Sequence, residues 1–479
     1  MTGEDQAMSS SIHSNWDRLT GYAEKAGFAF LAAQILIISS ASALDGGTLQ
    51  VSTYNGWQAF EVITQDDNPS GDGVDHAMPG TFDGAGAFLV NSSTIRIQVN
   101  HETSDASVSE VDVDVANLQT AIYNMINAGN TGGVSFVVAA RQAYDRWSSN
   151  GGSSWTNTSS TSNTSFFRFC SSQAYAPNTF GDNRGFVDQI YITGEEVSSG
   201  RLFALDSANR DFYLLSGIVG SAPDGIGGMS YDSWENAALI DTGETEHVAI
   251  VLSPDGGSQD MKLYIGIKGL GASGNASNSF LARNGLAYGS WYYLNASYPS
   301  LGNTNSGFFD TSASGALTSS KLEDIDTSPS SPTEVVLADQ NSGVFNLNFS
   351  LVFNSGFDAA SSSFTVTKIS NESGSNGSLD SPDNIDWTAA TTLNGVDYPD
   401  GVIFVNEDNS SGEIWQMNPN GSNKLRIGRT NVGAESTGIF DISELVGYAP
   451  GSILVSNNQG SPSSMTVMIN PDATLNNNS

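Results

Sequence analysis

Five short stretches set carboxylates and amides directly after apolar runs. "IQVNHE" ends at Asn100, His101 and Glu102, and "YITGEE" ends at Glu195 and Glu196. "DSWENAALIDTG" carries Glu235, Asn236 and Asp241, "SPDNIDW" carries Asp383 and Asn384, and "IFVNED" ends at Asn406, Glu407 and Asp408. A hard cation such as calcium needs roughly six to eight oxygens from carboxylates, amides and carbonyls. A single acidic turn is ordinarily solvated or closes an Asx-turn. Five of them at strand ends argue for convergence around a cation. "YITGEE" poses the sharpest geometric problem, because adjacent strand residues point to opposite faces. Both carboxylates reach one site only if the backbone bends, which Gly194 permits.

The elements that must position these acids read as strands. From Leu49 onward, short runs of Val, Ile, Phe and Tyr are punctuated by Gly, Asn, Asp and Ser, as in "STIRIQVNHE", "MKLYIGIKG" and "GVFNLNFSLVF". "VANLQTAIYNMINAGN" instead spaces Val115, Leu118, Ile122 and Met125 helically and stops at Gly129, and "VVAARQAYDRW" predicts a second helix. Residues 148–165 and 302–331 read as low-complexity loops. "GRLFALDSANRDFYLL" and "GEIWQMNPNGSNKLRI" share one hairpin plan, with strand, polar turn and returning strand. A hairpin used twice is how propeller blades look, and turns at matching blade ends converge on a central channel.

Composition agrees. The chain has 479 residues, 51 of them glycine, and only 14% are charged, which suits many short strands rather than a helical bundle. Asp and Glu number 51 against 17 Lys and Arg, a formal charge of −34. Such a surface repels phosphate backbones and anionic membranes, so neither nucleic acid nor a membrane surface is expected as a partner. The single cysteine, Cys170, excludes an intrachain disulfide and cysteine-rich zinc or iron–sulfur sites. With no base near it in sequence, Cys170 reads as a buried structural thiol. There is no HExxH, GxSxG or P-loop, and the four histidines are scattered. The apolar run from Gly27 to Ile38 is too short to span a bilayer. It has the length of a signal-peptide core followed by the small-residue pattern Ala41-Ser42-Ala43. Residues 1–43 are therefore expected to be a targeting segment and 44–479 one propeller domain with a helical insertion around 114–147.

The order of "VNHE", "FCSSQ", "ITGEE", "WENAALIDTG", "SPDNIDW", "VNEDNSSGEIWQMNP" and "ESTGIFDIS" resembles that in PhoX-type alkaline phosphatases and their uncharacterised secreted relatives, from about Trp57 to the C-terminus. The resemblance implies an all-β, six-bladed β-propeller with short helical insertions. It also implies iron and calcium in a carboxylate cluster that hydrolyses phosphate monoesters. It supports Glu102, Glu195, Glu196, Glu235, Asp383 and Asp408 as metal-facing acids, Glu195 and Glu196 being the catalytic pair. Arg168, Arg184 and Arg201 are the candidates to grip phosphate. The family carries TCEE where this chain has Thr193-Gly194-Glu195-Glu196, and Cys170 aligns with a different, upstream cysteine. Loss of the thiolate at 194 makes iron (Fe3+) doubtful and leaves an oxygen site suited to calcium (Ca2+).

The expectation is thus a secreted, cell-surface or periplasmic calcium-binding propeller acting as a phosphoesterase on a phosphate ester, with self-association through its surface left open. The alternative is a non-catalytic extracellular or cell-surface structural or binding propeller that keeps calcium and has lost the iron-dependent chemistry.

Overall fold

The computed structural model describes residues 49–476 apart from 159–165, 223–224, 257–258, 320, 376 and 431–432. The expected targeting segment, 1–43, lies outside the described residues. The described strands build six antiparallel sheets of four core strands each. Blade 1 begins with Phe82–Asn91, blade 2 with Phe169–Tyr175, blade 3 with Trp234–Ile240, blade 4 with Leu322–Thr327, blade 5 with Pro382–Trp387 and blade 6 with Ser436–Asp441. These six first strands follow one another round a closed ring and line the central channel. The fold is a six-bladed β-propeller with little helix.

Ring closure joins the two ends of the described chain. Blade 6 takes three strands from the C-terminal region and its outer strand, Gln58–Thr64, from the N-terminal region. Val51–Thr53 adds a fifth strand to blade 5 through Leu425–Thr430. The repeated hairpin of the sequence is the outer hairpin of blades 2 and 5, formed by Leu202–Asp206 with Asp211–Leu214 and by Glu413–Met417 with Leu425–Thr430.

Apolar cores fill the wedges between blades. Val108, Phe169, Phe203 and Phe212 pack between blades 1 and 2, and Ile192, Trp234, Leu239 and Ile250 between blades 2 and 3. Val336, Ile385 and Val405 lie between blades 4 and 5, and Phe404, Ile414, Leu454 and Met468 between blades 5 and 6. Because both faces of an inner strand are covered, Trp234–Ile240 is buried throughout and shows no alternation. Truncating a side chain such as Trp234, fully buried, typically costs about 3–5 kcal/mol.

Two expectations about elements are corrected. The helix Val115–Ala128 forms, with Asp114 Oδ1 accepting from Asn117 N at 2.8 Å and Gly129 closing it at φ 69°. Its expected successor does not: Val137–Gln142 is the outer strand of blade 1 and Arg146–Ser148 an edge strand of blade 2. An open sheet edge outweighs the helical propensity of the alanines there. Residues 302–331, read as a loop, hold Thr304–Asp310, which ties the outer strands of blades 3 and 4 together, and Leu322–Thr327, the inner strand of blade 4.

Candidate metal centre

One rule places the donors. In every blade an apolar residue precedes an acid or thiol, opening the inner strand at Phe82-Asp83, Phe169-Cys170, Trp234-Glu235, Leu322-Glu323 and Pro382-Asp383, and lying just ahead of it at Ala434-Glu435. The apolar member buries in its blade. Asp83, Cys170, Glu235, Glu323, Asp383 and Glu435 line a common cavity of about 50 Å³ at one end of the channel. The second strand of each blade adds a polar residue just past its end: Glu102, Glu196, Asp255, Gln340, Asp408 and Gln459. Of these, Glu102, Glu196 and Asp408 line the same cavity. Gln340 Nε2 donates to Asp408 Oδ2 at 2.6 Å, and Gln459 Nε2 to Asp83 Oδ2 and Glu102 Oε2 at 2.9 and 3.0 Å.

Each blade also breaks pairing register between its first two strands, near this end, between Phe82 and Ala85, Thr193 and Glu195, Trp234 and Asn236, Leu322 and Ile325, Pro382 and Ile385, and Thr437 and Phe440. Bulges re-aim side chains and end pairing, so six of them turn the strand ends onto one point. Below the donors, a polar floor holds them. Asn100 Nδ2 donates to Cys170 O (2.6 Å), Ser171 Oγ to Glu235 Oε1 (2.6 Å) and Asn384 Nδ2 to Ser171 Oγ (2.7 Å).

The sequence candidates separate here. Glu102, Glu196, Glu235, Asp383 and Asp408 come together in the cavity. Glu195 does not join them. It is buried, and Arg201 grips it with Nε on Oε2 and Nη2 on Oε1, both at 2.5 Å. Phe167 N and Arg201 N complete its hydrogen bonds at 2.9 and 3.0 Å. Arg201 is thereby committed, and Arg184 pairs with Asp241. Of the three arginines offered for phosphate, Arg168 alone lines the cavity. His101 holds Ser109 Oγ at 2.8 Å and Gly80 O at 3.1 Å, and burial drives its pKa down to about 3, so it stays neutral and structural.

Position 194 is corrected. A Cβ on Gly194 would lie 2.4 Å from Trp234 Cβ, so that residue faces the neighbouring blade's inner strand instead of the cavity. The thiol belongs to Cys170, read from sequence as structural, whose Sγ lies 2.9 Å from Glu196 Oε2. Sequence reading also missed Asp83, Lys321, Glu323 and Glu435. The missed signal for Asp83, Glu323 and Glu435 was the apolar–acid pair at or just ahead of the inner strand.

Electrostatics ask for positive charge. Eight carboxylates line the cavity, against Arg168 and Lys321 among the described residues. Burial first, then neighbouring carboxylates, push Asp83, Glu235, Glu323, Asp383 and Glu435 well above the usual carboxyl range. Burial and a hydrogen bond with Asp255 raise Glu196 to about 7. Burial and Glu235 push the Cys170 thiol up, so it remains protonated against Glu196. A multivalent cation would counter both effects by favouring the ionised carboxylates. Three donor groups, Asp83–Glu102–Cys170, Cys170–Glu196–Glu235 and Glu235–Glu323–Asp383, have ligand atoms within 4.8 Å of one another. Oxygens on opposite sides of a calcium ion are about 5 Å apart, so the spacing fits. Asp255 Oδ1 adds a buried acceptor with no hydrogen-bond partner.

No family model matches the chain, and no curated protein matches it by sequence. Among solved structures, PhoX of Pseudomonas fluorescens in complex with vanadate, a transition state analogue, superposes with a TM-score of 0.58. Identity is 13%, over 88% of this chain and 96% of that one. The likeness is one of fold. The Dos1 propeller overlaps more loosely, with a TM-score of 0.32 and 8% identity over 82% of this chain and 68% of that one.

Proposed function

We propose that the chain is a metal-dependent phosphoesterase whose cations sit at the mouth of the propeller channel. The observation that carries the reading is the ring of donors, one from each blade, closing on a cavity that also holds Arg168 and Lys321. Asp83, Glu102, Cys170, Glu196, Glu235, Glu323 and Asp383 would hold the ions. Seven donors including a thiol suit hard calcium together with a softer ion such as iron. Bound there, such ions supply Lewis acidity toward a phosphoryl oxygen and make a nearby water more acidic.

The chain's own residues do the rest. Lys321 Nζ lies 3.1 Å from Glu323, 3.2 Å from Asp255 and 3.7 Å from Glu196. Burial opposes its charge, but Glu323 and Glu235 overcome that and hold it cationic. It is a fixed positive group for an anionic phosphoryl oxygen. The walls carry little apolar surface, so recognition would rest on the phosphate more than on its organic group. The fold-related PhoX structure contains vanadate, a transition state analogue, which supports the same reaction class.

Export belongs to the same reading, resting on the apolar run before Ala41-Ser42-Ala43. Among the described residues, no helix is long and apolar enough to cross a membrane. The test is metal analysis of purified protein together with an assay on a generic phosphate monoester. Wild type should retain metal and turn over. Glu235→Gln should lose at least about 100-fold in kcat/KM, more than outer-sphere changes usually cost. Metal retained without turnover on any monoester would instead support the non-catalytic propeller.

A further inference from the structure

Arg168 occupies an unusual position. Its φ of 46° lies in the left-handed region, where an arginine costs energy and persists only if its surroundings enforce it. Two hydrogen bonds do so: Arg168 N donates to Thr103 O at 2.9 Å, and Arg168 O accepts from Glu196 N at 3.0 Å. The pinned backbone leans a half-exposed guanidinium across the cavity rim. Its Nε meets Glu102 Oε1 at 2.7 Å, and its Nη2 meets Glu196 Oε2 at 2.6 Å.

Those carboxylates belong to two different donor groups, Asp83–Glu102–Cys170 and Cys170–Glu196–Glu235. The guanidinium therefore occupies one oxygen of a carboxylate in each group, where it competes with a cation for that carboxylate. We propose that Arg168 is a latch that cations and phosphate operate together. Without metal it bridges Glu102 and Glu196 and satisfies their charge. Cations entering the two groups take those oxygens, and the freed guanidinium, held at the rim by its fixed backbone, turns to the phosphate anion. Metal loading and anion binding then favour each other, and the coupling must be reciprocal. This rests on the metal-site reading above and adds an order of events to it.

The experiment measures calcium binding by titration calorimetry, with and without inorganic phosphate, for wild type, Arg168→Lys and Arg168→Gln. Lysine keeps the charge but cannot fork across two carboxylates. The latch predicts calcium binding about 10-fold tighter in both variants. It also predicts phosphate binding to the calcium-loaded protein about 10-fold weaker in Arg168→Gln, and phosphate tightening calcium in wild type more than in Arg168→Gln. A lysine variant that binds calcium like wild type would reduce the effect to simple charge and overturn the latch, as would unchanged phosphate affinity in Arg168→Gln. Should either variant not fold, Arg168→Gly, whose backbone accepts this φ, takes its place. Wild type that binds no calcium at all would defeat the metal-site reading itself, a result distinct from failure of the latch.

Discussion

Stripping the metal and restoring calcium is the most direct perturbation of the proposed site. Two of the three donor groups, Asp83–Glu102–Cys170 and Glu235–Glu323–Asp383, share no residue, so two cations can sit together. Ions that bind only the folded chain stabilise it by mass action, about 2.7 kcal/mol each at 100 times the dissociation constant. The propeller unit runs from Gly46 to Ser479, 434 residues, and unfolding entropy of about 2.1 cal/mol/K per residue gives about 0.9 kcal/mol/K. Each ion should therefore raise Tm by about 3 °C, and two by about 6 °C. The assay is differential scanning calorimetry at neutral pH, first in chelator and then in saturating calcium. A Tm indifferent to chelator would refute the reasoning. So would a calcium shift of full size in Glu235→Gln/Asp383→Asn, because the ion would then be bound elsewhere.

Four further outcomes follow from the geometry. Cys170→Ser should remove the soft donor, so elemental analysis should find any iron lost while calcium persists. Glu195→Gln breaks a buried pair with Arg201 and should lower stability by about 2–4 kcal/mol, with calcium stoichiometry unchanged; loss of calcium would return Glu195 to the site. Gly194→Cys should destabilise the fold against Trp234 and gain no iron. Burial, then neighbouring Asp324, raises Asp326 from 3.8 to about 7, so its contribution to stability is present below about pH 3.8 and lost as pH rises through 7. Asp326→Asn should thus gain little at pH 4 and about 1–3 kcal/mol above pH 7, read as a Tm difference between the two pH values.

Most strands were legible because strand-and-turn punctuation is local, and the propeller came from the repeated hairpin together with the family resemblance. The acids past the second strands, Glu102, Glu196 and Asp408, were legible because each follows an apolar run. Four of the six inner-strand donors, Asp83, Cys170, Glu323 and Glu435, were not. Glu323 sits in a stretch of Ser, Thr and Asp that reads as low complexity, and its strand is recognisable only once blades 3 and 5 flank it. Asp83 precedes Gly84, where a Cβ would come within 2.6 Å of Ser171 Cα, so the glycine that reads as a loop marks close approach between blades. Cys170 looked inert because nothing near it in sequence could activate it. Its partners, Glu196 and Glu235, arrive from the next strand and the next blade.

The division between Glu195 and Glu196 shows how the fold resolves two adjacent acids. Alternation along a strand sends them to opposite sides, and a bend at Gly194 was one way to reunite them. The chain takes the other way. Glu195 is the last residue of its strand and keeps its pairing with Phe169, so its carboxylate turns back into the blade, where Arg201 and two amides satisfy it. Glu196 lies just past the strand and is free to face the channel beside Cys170. Had both reached the cavity, a ninth carboxylate would have joined a mouth where burial and then neighbouring carboxylates already push Asp83, Glu235, Glu323, Asp383 and Glu435 well above the usual range. One acid anchors the strand end and the other serves the site, and the anchored one fixes where the serving one points.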